Sequence, residues 1–304
     1  MKRAVFGILL ASCGLVACGG AKPAGPPPAP VVSVLEAGSE PRRVVRYELP
    51  LHTQGRLSSD VETTLTNRYT NTVLENGSNR LAFPAVHTTQ HLEVLSVEPD
   101  GTITVKLDNE RVTSDGEPAD PRVARAFERE LARLGRTHET FRLAPSGARS
   151  NIHVDTTGEP VRASERTATV QFETQTAMRF PDVPIGVGAA WRVTSLVETA
   201  GVQWQRTATY HLRAIDDATA SLEFEVTASA PEHALYVEPN ATAKVTSGSS
   251  IASGQFLVEL HGFGVTGGAH ETSEVNLSIV NHALRVTSTL QNESSFTVKP
   301  ADAK

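Results

Sequence analysis

The sequence predicts a mainly β protein: a curved antiparallel sheet, or sheets, or two tandem half-barrel-like units, with one amphipathic helix at about residues 121–134. Three observations point there. Apolar and polar residues alternate over a hairpin from His91 to Leu107, and a similar alternation returns from Tyr210 to Val226. Gly, Pro and Asn punctuate the chain at turn-like spacing, and only one stretch repeats its apolar residues at helical spacing.

The chain opens Met-Lys-Arg, continues with an apolar run from Ala4 to Val16, and reaches Leu15-Val16-Ala17-Cys18-Gly19-Gly20. A basic start, a short apolar stretch and small residues at a cleavage point make a secretory signal. The run is shorter than the roughly 20 apolar residues of a membrane-spanning helix. From Ala21 to about Ser39, Pro23, Pro26, Pro27, Pro28 and Pro30 point to an extended linker rather than a packed element. Regular structure is expected from Arg43, where Val44, Val45, Tyr47 and Leu49 favour a strand. A Thr-rich strand from Val61 to Leu74 then leads to Asn76-Gly77, a hairpin-turn pair, and the return strand runs through Leu81 and Phe83 to a break at Pro84.

In the His91–Leu107 hairpin, Leu92, Val94 and Val97 lead into Glu98-Pro99-Asp100-Gly101, and Ile103, Val105 and Leu107 return. The helix follows, with Asp120 as cap, Pro121 in the first turn and Gly135 at its end. Its apolar stripe is Val123, Phe127, Leu131 and Leu134, and its mixed Arg and Glu face reads as solvated. Thr140 to Val154 forms a hairpin about Pro145-Ser146-Gly147, and Val170 to Met178 alternates loosely as a strand. Phe180 to Trp191, with Pro181, Pro184, Gly186 and Gly188, follows an extended and then turning path into a strand anchored by Trp191.

In the Tyr210–Val226 hairpin, Tyr210, Leu212 and Ile215 stand 118 positions after Leu92, Val94 and Val97. Leu222, Phe224 and Val226 stand 119 after Ile103, Val105 and Leu107, which suggests a repeated hairpin with one residue added in its turn. Ser247 to Ser253 reads as a polar turn cluster, Gly254 to Leu260 as a strand, and Gly267-Gly268 as a turn. Val275, Leu277 and Ile279 rise out of that turn, and Leu284 and Val286, then Phe296 and Val298, close the sheet. The expected division is a signal at 1–17, a Pro-, Ala- and Gly-rich linker at 18–42, a first β unit with the helix at 43–160, a second at 161–299, and a tail at 300–304.

Loss of residues 1–17 from the 304 leaves 287, enough for one large β domain or two modest ones. Lys2 and Arg3 leave with the signal, so 26 basic residues face 34 acidic ones, a net charge of −8 with His neutral. That balance argues against nucleic acid, whose phosphates require basic patches. Both cysteines, Cys13 and Cys18, lie in the signal region, so the body has no disulfide, thiolate zinc site or Cys nucleophile.

Leu-Val-Ala-Cys resembles the lipobox of bacterial lipoproteins, which implies cleavage before Cys18 and a diacylglycerol on its thiol. Leu10-Ala11-Ser12-Cys13 also fits that pattern but leaves a very short apolar region. Gly19 stands where an Asp would imply inner-membrane retention, so the resemblance implies the outer membrane. Pro181, Pro184, Gly188 and Trp191, the Tyr210–Val226 hairpin and the Gly254–Ile279 segment resemble an uncharacterised family of bacterial cell-envelope lipoproteins. Ala189-Ala190 depart from the more polar pair usual there. The resemblance implies a fold and an address and brings no catalytic residues. A looser likeness is to the open half-barrels that carry lipids or lipoproteins across the periplasm.

The ten histidines include no His-Glu-x-x-His pair. His261, His270 and Glu271 flank a Gly-rich turn and are the one candidate metal set, against the commoner reading of solvated strand ends. Gly248-Ser249-Ser250-Ile251-Ala252 lacks the second Gly of a nucleophile elbow, and His261-Gly262-Phe263-Gly264 only faintly resembles an oxyanion loop. Asp216-Asp217 reads as a turn and Glu223 with Glu225 as a polar strand face. The expected protein is therefore a non-catalytic envelope lipoprotein without cofactor or metal, held to the membrane by lipid at Cys18. It faces the periplasm, and its β body binds an envelope protein or an apolar ligand. A purely structural envelope lipoprotein and a hydrolase with an unrecognised site are the alternatives. Cys18→Ala is expected to abolish incorporation of labelled palmitate; unchanged labelling would remove the anchor.

Overall fold

The computed structural model describes residues 27–71, 76–158, 163–238, 241–281 and 284–301. Cys18 and the whole expected signal lie outside them. The alternating stretches fold as one antiparallel sheet of thirteen strands. In chain order they are β1 (Val31–Glu36), β2 (Gln54–Asn71), β3 (Gly77–Val97), β4 (Ile103–Ser114), β5 (Thr137–Leu143), β6 (Arg149–Thr156) and β7 (Ala190–Thr199). Then come β8 (Val202–Ile215), β9 (Thr219–Ala230), β10 (His233–Glu238), β11 (Ala241–Glu259), β12 (Val265–Asn281) and β13 (Leu284–Pro300). Helix α1 (Pro121–Leu134) lies between β4 and β5, and helix α2 (Ala163–Thr176) between β6 and β7.

Across the sheet the order is β1-β7-β8-β9-β11-β12-β13-β2-β3-β4-β5-β6, with β10 paired to the N-terminal part of β11. The two expected β units thus share one sheet, joined where β13 pairs with β2. They also share one core. Leu92, Val105, Phe141 and Val154 from one end of the sheet pack in the same cluster as Trp191, Leu212 and Leu222 from the other. The sheet therefore curls on itself, yet no ladder joins its edge strands β1 and β6. Helix α2 spans that seam. It packs on β6 and β7, Glu173 pairs with Arg149 at the start of β6, and Gln175 Nε2 donates to the carbonyl of Pro28 just before β1.

A line of ring contacts follows the concave face. Tyr47, Phe180, Trp191, Tyr210, Phe224 and Phe256 succeed one another with centroids 5.6, 6.0, 5.4, 6.2 and 5.2 Å apart. Trp191 is fully buried, and its indole N–H donates to the carbonyl of Arg179 at 2.8 Å, so it serves as the expected core anchor.

Several expectations hold in detail. Asp120 accepts from the N–H of Arg122 at the start of α1, and Phe127, Ala124 and Leu134 are the buried face. That face covers β3 through Phe83 and Val86. The Pro99-Asp100-Gly101 turn closes β3 on β4 with Gly101 at φ +80°, and Gly147 at φ +90° closes β5 on β6.

Others are corrected. Residues 31–36 of the expected linker form edge strand β1, because a β-branched run follows the last proline and pairs with β7. The expected strand at 44–49 is an extended strap outside any ladder. It hydrogen-bonds Pro145 through Tyr47 and Leu260 through Glu48, so it crosses from one wall to the other. Val170 to Thr176 is helix, not strand, since Glu173 and Gln175 at its buried positions hide the helical period. A second helix therefore joins the single one expected. Gly77 is the first residue of β3 and is in register with Tyr69, so it is a strand residue and not a central residue of the expected turn. Strand β3 runs on through Pro84, which falls in a bulge where four residues, Phe83 to Val86, oppose Val61 to Thr63.

Ser247–Ser253 and Gly267-Gly268 are strand rather than turn, and the true β11–β12 turn is at residues 260–264. Strand β13 sits mid-sheet and closes nothing. The two similar hairpins share a bulge, between Val94 and Ser96 and between Leu212 and Ala214, but Val94 faces Val105 while Leu212 faces Leu222. The second hairpin is thus one residue shorter, not longer. Trp191→Ala is expected to lower the unfolding free energy by about 3–5 kcal/mol in denaturant melts.

Candidate functional site

The curl leaves a cavity of about 210 Å³ between its walls. Alternate residues of neighbouring strands line it: Ala252, Phe256 and Val258 of β11, Val265, Ala269 and Glu271 of β12, and Ser294 and Phe296 of β13. Tyr210 of β8 and Phe224 of β9 form one flank, and Phe141 and Leu143 of β5 the other. Position 254 on β11 would also face inward, but it is glycine. A Cβ there would collide with the Phe224 ring and the neighbouring backbone of β12. Gly254 thus lets Phe224 stack on Phe256 with their planes 12° apart.

The strap residues Tyr47 and Leu49 close one end, together with Phe263 of the β11–β12 turn. That turn is tied down by Glu259, whose N–H donates to the Gly264 carbonyl at 2.8 Å and whose carboxylate accepts the Gly264 N–H at 3.0 Å. Along the seam the wall is the end of α2 and the residues after it, Thr176, Ala177 and Met178.

The polar groups on this wall are few and mostly engaged. Arg149 lies 2.6 Å from Glu173, and its guanidinium carbon sits 4.4 Å from the centre of the Phe141 ring. The pair is 14 % and 6 % exposed, so it acts in low dielectric. Burial pushes the Tyr47 phenol well above its ordinary value, while the charge of Arg149 works against the rise; the hydroxyl stays protonated. Glu271 accepts from the Ser250 hydroxyl at 2.9 Å.

The candidate metal set does not assemble. The His261 ring is held between the carbonyls of Glu48 and Asp217, at 3.3 and 2.8 Å. His270 stands 3.9 Å from Glu293, while its neighbour Glu271 faces the cavity. Among the described residues there is no group of three His, Cys, Asp or Glu placed to hold a metal ion. Ser249 and Ser250 lie within β11, without the strand–turn–helix of a nucleophile elbow. Asp216 accepts from the N–H groups of Ala218 and Thr219 in the β8–β9 turn, as expected of a turn residue, and Glu223 pairs with Arg213 at the surface. On the outside of the sheet, His87 bridges Asp60 and Asp115 at 2.7 and 2.8 Å, and these hydrogen bonds raise its pKa.

Sequence reasoning missed Arg149, Glu173 and Arg206. The first two meet only through α2, where the local sequence pattern points to a strand. Arg206 carried a signal: it occupies the apolar phase of Val202, Trp204, Ala208, Tyr210 and Leu212.

No family model and no curated protein matches the chain. Solved structures that resemble it include a triple mutant of the Rhodopseudomonas blastica porin, 8% identical, spanning 79% of this chain and 99% of that one with a TM-score of 0.20. A second mutant of that porin is 10% identical over the same shares, with a TM-score of 0.18. At those scores the likeness carries no argument about either fold or function. Among the described residues no helix is long and apolar enough to cross a membrane, which leaves strands out of account.

Removing one member of the seam pair strands the other charge. Glu173→Gln is expected to cost about 3–5 kcal/mol in denaturant unfolding, and the double variant with Arg149→Met to recover most of it.

Proposed function

We propose that this protein is a non-catalytic lipoprotein of the bacterial outer membrane, anchored through Cys18 and facing the periplasm, whose rolled sheet binds an apolar ligand. The observation that carries the reading is the cavity. Its volume of about 210 Å³ is bounded mainly by Phe141, Tyr210, Phe224, Phe256, Phe263 and Phe296. A purely structural β body packs its interior at crystal-like density. An apolar cavity of about 150 Å³ already holds a benzene-sized guest. The seam supplies a route, because α2 meets β6 and β7 through side chains rather than through a ladder.

The address rests on the lipobox-like Leu15-Val16-Ala17-Cys18 and on Gly19 after it. The Pro-rich residues 21–30 would hold the body clear of the bilayer.

Ligand binding is tested on the purified protein by mass spectrometry of organic extracts and by titration with an apolar fluorophore such as N-phenyl-1-naphthylamine. A co-purifying apolar molecule and saturable probe binding are expected. Ala252→Trp, which fills the cavity, is expected to weaken the probe at least tenfold with an unchanged circular dichroism spectrum. Recovery of no apolar molecule together with no saturable binding would overturn the reading in favour of a structural protein. Cleavage of a generic ester substrate would move it to a hydrolase.

A further inference from the structure

Among the described residues, one buried cation inside the roll has no protein partner. Arg206 lies on the inward face of β8 and is 7 % exposed, and neither of its terminal nitrogens makes a hydrogen bond. Beside it in register on β7 stands Ser195, 9 % exposed, with its hydroxyl also unpartnered. On the other side, Ala228 of β9 is in register with Arg206, and Ser250 of β11 is in register with Ala228. The positions level with Arg206 on the neighbouring strands thus carry small side chains.

Charged side chains buried to this degree are almost always paired. A guanidinium is a permanent cation whose planar fork of donors matches the oxygens of a carboxylate or phosphate, two at a time. A serine hydroxyl next to it adds a further donor to the same anion.

Arg206 and Ser195 lie outside the cavity lining, and the strand register places them next to it. Ala252, which lines the cavity, is in register with Val226, and Val226 with Ala208. Arg206 is the next inward residue along β8, about 7 Å further at ~3.3 Å per residue. Beyond it a second apolar cluster of Val202, Ala230, Val245 and Leu277 closes the interior. Each of the three carboxylates that line the cavity is engaged elsewhere: Glu173 pairs with Arg149, Glu259 accepts from the Gly264 N–H, and Glu271, on β12 three strands across the sheet, accepts from Ser250.

We infer that Arg206 and Ser195 form an oxyanion site at the deep end of the cavity, which takes a carboxylate or phosphate. Resting on the proposal that the cavity binds an apolar ligand, the ligand is then an anionic single-chain amphiphile. Its head sits on Arg206 and its chain lies among the aromatic side chains. The same oxyanion chemistry could come from a free small anion, and the test separates the two sources.

Dodecanoate, dodecanol and inorganic phosphate are titrated calorimetrically at pH 8 into the full-length protein and into its Arg206→Met and Ser195→Ala variants. Dodecanoate is expected to bind at least tenfold tighter than dodecanol. Arg206→Met should erase that difference while leaving dodecanol within about twofold, and Ser195→Ala should weaken dodecanoate several-fold. Phosphate binding that needs Arg206, with dodecanoate no better than dodecanol, would support the oxyanion site and overturn the amphiphile as its source. Phosphate binding that needs Arg206, with neither twelve-carbon compound bound, would sink the cavity reading and keep the oxyanion site.

Equal affinities for all three proteins with every ligand would overturn the site itself. A stability readout guards against a misfolded variant. Losing a buried charge that has no partner should hold or raise the ligand-free melting temperature of Arg206→Met. A fall of more than about 5 °C would assign Arg206 a structural role and overturn the proposal.

Discussion

The open seam is the constraint on which this architecture turns. A sheet of thirteen strands that curls far enough for its two ends to share a core must either close or protect two edges. This one does not close. Its β6 edge is met by α2 through the Arg149–Glu173 pair, and its β1 edge is reached through Gln175 and the Pro28 carbonyl. A helix satisfies its own backbone, so it can cross a gap between strand edges without needing either as a ladder partner. The cost is specificity by side chains alone, and here those side chains are charged and buried. Such a pair contributes little net stability against an apolar equivalent, but losing half of it is severe. The seam is therefore held in one arrangement more firmly than its net energy suggests.

The same curl explains why the interior is layered. Strands β2, β3, β11, β12 and β13 have 17 to 21 residues, far longer than the five or six of an ordinary strand. A roll of that length has more inward positions than one apolar core can occupy. The main cluster fills the end nearest the strap, and two smaller clusters, around Phe127 and around Val245, occupy the other. Between them lies a belt of polar inward residues: Ser195, Arg206, Ser250, Asn292, Ser294 and Thr63. Part of this belt is satisfied internally, as where Ser250 donates to Glu271. Arg206, Ser195 and the side-chain oxygen of Asn292 are where it is not.

Much of the fold was legible because period-2 alternation is a direct image of a half-buried strand. The β3–β4 and β8–β9 hairpins, helix α1 with its Asp120 cap, and Trp191 as an anchor all follow from local pattern. The failures share a cause. Gly267-Gly268, Pro84 and Ser247–Ser253 are turn formers by local preference, yet each lies inside a long strand. Their neighbours on both sides supply ladders that outweigh propensity, and a bulge absorbs the proline. Helix α2 was hidden for the opposite reason: its buried positions are polar, so hydrophobic periodicity has nothing to detect. The cavity was illegible because it depends on which walls the curl brings together, a long-range fact that no window of sequence contains.

A buried guanidinium without a protein partner is a standing cost of several kcal/mol in a fold whose whole margin is about 5–15 kcal/mol. It is tolerable only if something recovers it, and an anion that binds there does so by the same interaction that makes its absence costly. The charge of the rest of the molecule bears on how such an anion arrives. With 34 acidic residues against 28 basic ones, the surface field repels free anions instead of steering them inward. A small anion in solution gains nothing until it has already passed that field. An amphiphile differs, because transfer of its chain from water to an apolar interior gives roughly 0.8 kcal/mol for each methylene, which outweighs a screened surface repulsion within a few carbons. Acidic exterior, apolar cavity and isolated interior cation are thus consistent with one order of events: the chain enters the cavity first, and the head meets Arg206 only at its far end.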